Sequence, residues 1–364
     1  MAVEQSELAA LREGIADVLA SECESRALHD HVDGKNDLET RLWRHAAELG
    51  WLGVGIAEAN GGLGLGVRGL DVLHQELGRR LAPGAYIATL AAAQWVEHFG
   101  DEATKKRVLG PVLNGEMMVA IPADLGSGRN DLVHTAGALS GRPRSLLGSP
   151  QSRLAVVGLP AGGLGLIEVD GAKARLSARR PWDPTRALCD LECNGVKPLL
   201  SVNAPGAREW LAHVVSLAVI ADSVSAAETI YLQTVDYQKT RVQFDRPLAS
   251  FQALKHRAAD MKIAHDISRH VAGQALAAAG TADADLWAGL AKAWVTDTFA
   301  YIATDCVQLH GGVGFTWDFD CHLFLKRAKL NQALVGSNEA QTDRAFDAMI
   351  AAMKEGRSTL EIES

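Results

Sequence analysis

The sequence predicts a mainly α-helical protein with a small β-domain in the middle of the chain. Three observations lead there. The composition, 48% apolar but only 5% aromatic and rich in Ala and Leu, leans helical. Apolar residues recur at helical spacing towards both ends of the chain. Between residues 118 and 200 that spacing fades, and short apolar runs alternate with Gly, Pro and Asp turns. The chain therefore divides into an N-terminal helical domain over 1–117, a shortened β-domain over 118–200 and a C-terminal four-helix bundle over 201–364. Its 364 residues suffice to bury a large core.

In order along the chain, Leu42 to Leu49 carries apolar residues one helical turn apart and ends at Gly50. Trp51-Leu-Gly53-Val-Gly55-Ile56 leads into Asn60-Gly61-Gly62-Leu-Gly64, a turn cluster in which positive φ is cheap. A second helical run spans Leu70 to Leu81 and stops before Pro83. Leu154–Val157 and Leu164–Val169 read as strands. From Pro205 onward four long helices are expected: Ala207–Thr240, Phe251–Ala279, Asp285–His310 and Asn338–Lys354. The tail after Gly356 is polar and expected to fray.

A net charge of −8 without basic clusters argues against a nucleic-acid surface. The first residues show no basic and apolar leader pattern, and no uninterrupted apolar run approaches membrane-spanning length, so a cytoplasmic protein without a membrane segment is expected. The five cysteines, Cys23, Cys189, Cys193, Cys306 and Cys321, are scattered. Cys189 and Cys193 lack a second ligand pair, so all five read as reduced thiols and no metal site is expected.

Four segments carry chemistry. They are Asp183-Pro-Thr185-Arg186, Arg241-Val-Gln243-Phe244-Asp245-Arg246-Pro247 with Phe251-Gln252 behind it, Gln308-Leu-His310-Gly311-Gly312-Val-Gly314-Phe315, and Leu334-Val335-Gly336-Ser337-Asn338-Glu339. In this order, and with the Trp51 and Gly61 segments before them, they resemble the acyl-CoA dehydrogenase family over nearly the whole chain. The resemblance implies FAD bound across a subunit interface, with the ring on one subunit and the adenosine-pyrophosphate end gripped by its neighbour. The gripping positions fall on Arg241, Phe244, Gln252, Gln308, Gly311 and Gly312. Their chemistry suits the task. Arg241 can offer forked donors to a pyrophosphate, Phe244 an apolar face, and the two glutamines amide donors and acceptors. Gly311-Gly312 removes side chains where a phosphate must approach the backbone. A surface ion pair, a core phenylalanine or a plain helix end would each explain one of these residues alone, but not the set.

The same resemblance exposes what is missing. Dehydrogenation of an acyl-CoA needs a base for the α-proton, usually a carboxylate in an apolar cleft. The family places a glutamate in one of two positions, which here are Val335 and, about 26 residues before Arg241, Val215. Asp222 and Glu228, further along the same helix, are the remaining candidates for a displaced base, and Glu339 reads as an orienting residue. The family's ring-side loop is only echoed by Ile121-Pro122-Ala-Asp124-Leu-Gly126-Ser127-Gly128, and its Trp-Ile-Thr/Ser-Asn strand is not recognisable. Asp245 stands where the family has glycine, and Arg246 is the residue placed to screen it.

The resemblance therefore implies a base-lacking subunit of a heteromeric α2β2 enzyme, similar to actinobacterial steroid-CoA dehydrogenases. The expected partners are a second acyl-CoA dehydrogenase-like chain, a bulky acyl-CoA and an electron-transferring flavoprotein. A self-sufficient homotetramer using Asp222, and a flavin-free structural paralogue, are the alternatives.

Overall fold

The structure, a computed structural model, describes residues 2–126, 131–160 and 162–357. Six helices come first: α1 (Ala2–Glu22), α2 (Ser25–Val32), α3 (Leu38–Glu48), α4 (Gly66–Arg79), α5 (Tyr86–Phe99) and α6 (Glu102–Leu113). Nine strands follow: β1 (Val119–Pro122), β2 (Leu132–Thr135), β3 (Ala138–Gly141), β4 (Leu146–Leu147), β5 (Leu154–Gly158), β6 (Leu164–Glu168), β7 (Ala174–Arg179), β8 (Leu188–Val196) and β9 (Leu200–Val202). The chain then returns to helix with α7 (Ala207–Thr240), a two-strand hairpin of β10 (Val242–Gln243) and β11 (Arg246–Pro247), and α8 (Gln252–Ala277). It closes with α9 (Ala284–His310), α10 (Cys321–Ala333) and α11 (Asn338–Lys354).

The four long helices expected from Ala207 onward are present, and α10 is an additional one. Local sequence explains the N-terminal part. In α3, Leu38, Leu42, Trp43 and Ala46 form one buried face, and the Trp43 indole donates to the Gly115 carbonyl at 2.9 Å, tying α3 to the end of α6. Of the glycines in the turn cluster, Gly61 and Gly64 do adopt positive φ. Gly62 is needed for a different reason: a Cβ there would meet the Ile56 carbonyl oxygen at 2.1 Å.

Among the described residues nine strands join one sheet, in the order β2-β3-β8-β4-β1-β5-β6-β9 with β7 on β8. Only the β1–β5 pairing is parallel. The largest apolar cluster lies where β1, α5 and α7 meet. Helix α7 combines an apolar window of membrane-spanning length with 72% burial of that window, so it is a core helix. All five cysteines are buried and free, and no group of three metal-ligating side chains occurs among the described residues.

Three parts of the chain meet at a buried ionic network. Asp222 of α7 accepts from the Arg186 and Arg327 guanidiniums at 2.8 Å each, and from Asn331 Nδ2 at 2.8 Å. Arg327 of α10 also donates to Asp183 at 2.6 Å and to Thr185 Oγ1 at 2.6 Å. Asp183, Thr185 and Arg186 belong to the exit segment of the β-domain, and all are buried. Helix α4 can approach only because residue 78 is glycine, where a Cβ would lie 2.5 Å from the Asp222 carbonyl oxygen. Burial alone would raise the Asp222 carboxyl, but the two guanidiniums outweigh it and hold it below its ordinary value of 3.8.

Removing one partner from such a network leaves an uncompensated buried charge. Arg327→Met should therefore cost about 3–5 kcal/mol in a denaturant titration. A folded carboxyl held low contributes stability that is complete above the unfolded pKa and is lost as pH falls through the folded value. Asp222→Asn should accordingly give a shallower acid-unfolding slope below about pH 4 than the parent chain.

Candidate functional site

The nucleotide-grip residues gather at one end of the bundle, where α7 and α9 finish and α8 begins. Arg241 caps α7, and its backbone turns extended at φ −74°, ψ 119°. The hairpin that follows pairs Val242 with Pro247 and Gln243 with Arg246. Its two-residue loop is Phe244-Asp245, with φ of 53° and 65°. Two successive positive φ angles are what a tight hairpin turn of this length requires, so the position where the family has glycine holds a strained aspartate. Phe244 is 86% exposed. Arg246, the cation next to Asp245, lies 3.9 Å from the centre of the Phe251 ring.

Gln252 opens α8 and Gln308 sits in the last turn of α9, both exposed. Gly311 closes α9 with φ 67° and donates its N–H to the Gln308 carbonyl. With ψ at −146° this backbone region is open essentially to glycine alone, so the helix end by itself accounts for the residue. Gly312 differs, because neither a positive φ nor a close neighbour demands a glycine there. A Cβ at either glycine would face open space, where a phosphate could reach the backbone. The structure thus places all six residues on one exposed surface. A ligand with an aromatic base and a pyrophosphate fits this donor set.

The two base positions lie elsewhere. Val215 and Val335 are at most 2% exposed and share the largest apolar cluster. Val335 has φ 66°, a genuine outlier for a β-branched residue. Its N–H donates to the Ala123 carbonyl at 2.7 Å, and its own carbonyl accepts from Gln341 Nε2 at 2.7 Å. Ala123 belongs to the echoed ring-side loop, of which Ser127 and Gly128 lie outside the described residues. The strand beside β1 at this point is β4, two leucines.

Neither alternative carboxylate is a free base. Asp222 is saturated by two guanidiniums and an amide, as described above. Glu228 pairs with Arg79, which outweighs the effect of burial and keeps the carboxyl low. Glu339 is exposed in the first turn of α11. A cleft of about 340 Å³ does open between the β-domain and α10, lined by Pro122, Asp124, Arg144, Val157, Leu188 and Leu334. Between α4, α5 and α7, by contrast, the free volume is about 20 Å³, room for a water molecule but not an acyl chain.

Lys292 has a part the sequence reading did not assign. It is wholly buried in α9, and its Nζ donates to the Gln332 and Gly336 carbonyls and to Asn338 Oδ1, each at 2.8 Å. Burial pushes its ammonium down to about 7. The only available signal was a lone cation within the apolar run from Leu286 to Val295. Lys292 fixes the segment carrying Val335 from below, so Lys292→Met should lower stability by about 2–3 kcal/mol in urea unfolding, since several carbonyls lose their donor.

Two family models match the chain. The model described as acyl-CoA dehydrogenase, N-terminal domain, covers residues 5–116, and that described as acyl-CoA dehydrogenase, C-terminal domain, covers 212–350. The protein named acyl-CoA dehydrogenase IpdE2 of Mycobacterium tuberculosis is 29% identical over 344 residues, covering 90% of this chain and 92% of its own. Among solved structures, a Tcur3481–Tcur3483 steroid ACAD variant superposes with a TM-score of 0.87 at 27% identity, over 96% of this chain and 99% of the other. The ChsE4-ChsE5 complex of Mycobacterium tuberculosis gives 0.86 at 23% identity, over 96% and 98%, a likeness of fold.

Proposed function

The chain belongs to the acyl-CoA dehydrogenase family, and on that premise we propose that it is the base-lacking subunit of a heteromeric FAD-dependent acyl-CoA dehydrogenase. One observation carries the reading: both base positions are valines sealed in the core, while every nucleotide-grip residue stands exposed. The site is split between what this chain offers outward and what it lacks inside.

In this reading Arg241 gives forked donors to the pyrophosphate of an FAD whose ring lies on a partner chain. Phe244 covers the adenosine, Gln252 and Gln308 fix its orientation by amide hydrogen bonds, and Gly311-Gly312 lets the phosphates reach the backbone. FAD supplies the hydride acceptor, and the partner supplies the base that removes the α-proton. The product is an α,β-enoyl-CoA. The likeness to proteins whose names pair two chains, one of them a steroid ACAD, supports an α2β2 assembly and a bulky, steroid-derived CoA thioester. A cytoplasmic enzyme passing electrons to an electron-transferring flavoprotein completes the proposal.

A second reading, a self-sufficient enzyme, draws on the cleft of about 340 Å³ beside Pro122 and Leu334, which could seat a ring in this chain. The pairing of Asp222 with Arg186 and Arg327 weighs against it, because that carboxylate is already neutralised.

Co-expression with the partner chain should yield a yellow complex with about one FAD per heterodimer. Stoichiometric FAD on the isolated chain together with acyl-CoA turnover would overturn the proposal. Arg241→Ala removes a charge-assisted contact made only to the cofactor. It should weaken FAD retention by the complex about ten- to a hundredfold, read by equilibrium dialysis or flavin fluorescence, without breaking the assembly.

A further inference from the structure

The two halves of the nucleotide grip stand on different helix ends, and an aromatic stack joins them. Tyr237 lies one turn before Arg241 on α7, and its carbonyl accepts the Arg241 N–H at 2.9 Å. His310 lies between Gln308 and Gly311 at the end of α9. The Tyr237 and His310 rings stack at 4.3 Å between centres with an 18° angle between planes. Phe319, just before α10, packs edge-on against both, at 5.5 Å from Tyr237 and 5.2 Å from His310. His310 is held in turn by its own helix, its Nδ1 donating to the Cys306 carbonyl at 2.8 Å.

We propose that Tyr237 and His310 are positioning residues for the nucleotide grip, and that their stack presets the distance between Arg241 and Gln308-Gly311-Gly312 before a partner docks. The inference rests on the proposed function and adds residues that act through Arg241 and the end of α9. Helix ends fray, and the first and last turns of a helix are its least constrained parts. Recognition of a pyrophosphate from two sides tolerates little looseness, because contacts misplaced by about 1 Å lose much of their value. Tyr237 is only half-buried and lies outside the apolar clusters of the bundle. His310 is buried against Cys306 and Cys321 of the bundle core, so the stack ties the half-buried Tyr237 at the end of α7 to a fixed point at the end of α9. The Tyr237 hydroxyl makes no hydrogen bond among the described residues, so the ring alone carries the contact.

The test uses the co-purified heteromer and compares FAD dissociation constants of the parent, Tyr237→Phe, Tyr237→Leu, His310→Leu and Arg241→Ala proteins, with light scattering to read assembly. Tyr237→Leu and His310→Leu should each weaken FAD binding about five- to tenfold with the assembly intact, while Tyr237→Phe stays within about twofold of the parent. Adding Arg241→Ala to Tyr237→Leu should cost less than the two losses multiplied, since a misplaced arginine has less to lose. Unchanged FAD binding in Tyr237→Leu beside a clear loss in Arg241→Ala overturns the positioning role alone. Equal weakening by Tyr237→Phe and Tyr237→Leu does the same, because the ring would then not be the active part. No loss in Arg241→Ala overturns the shared-cofactor reading and this inference with it.

Discussion

The β-domain exit, α4, α7 and α10 are registered against one buried set of charges. Asp222 and Asp183 face Arg327 and Arg186, two carboxylates against two guanidiniums, with Asn331 and Thr185 taking up remaining donors and acceptors. Such a network adds little net stability over an apolar core of the same shape, because desolvating four ions offsets most of their attraction. What it confers is geometry. Only one relative placement of the β-domain exit, α7 and α10 satisfies both arginines at once. The close contact of Gly78 with the Asp222 backbone brings α4 into the same register. Since α10 ends just before Leu334 and Val335, the network also fixes where the base position lies relative to α7.

That rigidity makes the two valines informative. A carboxylate at residue 335 would sit in a cluster with Val215, Val219, Ile121 and Leu334, and desolvation would raise its pKa. That tension is useful in a catalytic centre and a pure cost elsewhere. Valine removes the cost but leaves the backbone as it was. The φ of 66° at Val335 persists because Ala123, Gln341 and Lys292 hold the segment from three directions. Strain of this kind costs on the order of 1–3 kcal/mol and survives only where the surroundings over-determine it. The strained backbone is thus held by its surroundings and not by the valine side chain.

The bundle was legible from sequence because α7, α8, α9 and α11 are long and their breakers few. Motif order and spacing singled out Arg241, Phe244, Gln252, Gln308, Gly311 and Gly312 jointly, and all six are exposed at the helix ends. Other parts were not. Helix α10 escaped because it begins straight after the Thr316–Asp320 turn region and mixes Lys326, Arg327 and Lys329 with apolar residues, a pattern that reads as surface. Arg327 is in fact fully buried. The ionic network could not be read from local pattern, since Asp183 and Arg327 stand 144 residues apart. Strands such as β7, with its alternation of buried and exposed residues, were hidden by arginines on the outer face. Asp222 could be read from sequence as a displaced base or as a solvated or ion-paired carboxylate, and its counterions, coming from distant segments, make it the ion-paired one.

The exposed end of the bundle poses the opposite energetic question. Phe244 is 86% exposed, Phe315 69% and Trp317 53%, all at or beside the grip residues. The hairpin adds two left-handed non-glycine residues, Phe244 and Asp245. An isolated chain gains nothing from presenting a strained aromatic to water, and apolar patches of this sort are rarely left uncovered on monomers. The Tyr237–His310 stack joins the same termini, a half-buried tyrosine resting on a buried histidine. Strain and exposed aromatics at one place mark a surface suited to being covered. A cofactor held jointly with a second chain would cover it and would give each feature a use. The interior shows the complementary economy, since the valines at 215 and 335 make a well-packed seam where a desolvated carboxylate would be unstable. Both features are what the proposed function requires, in which a partner chain supplies the base and this chain the nucleotide contacts.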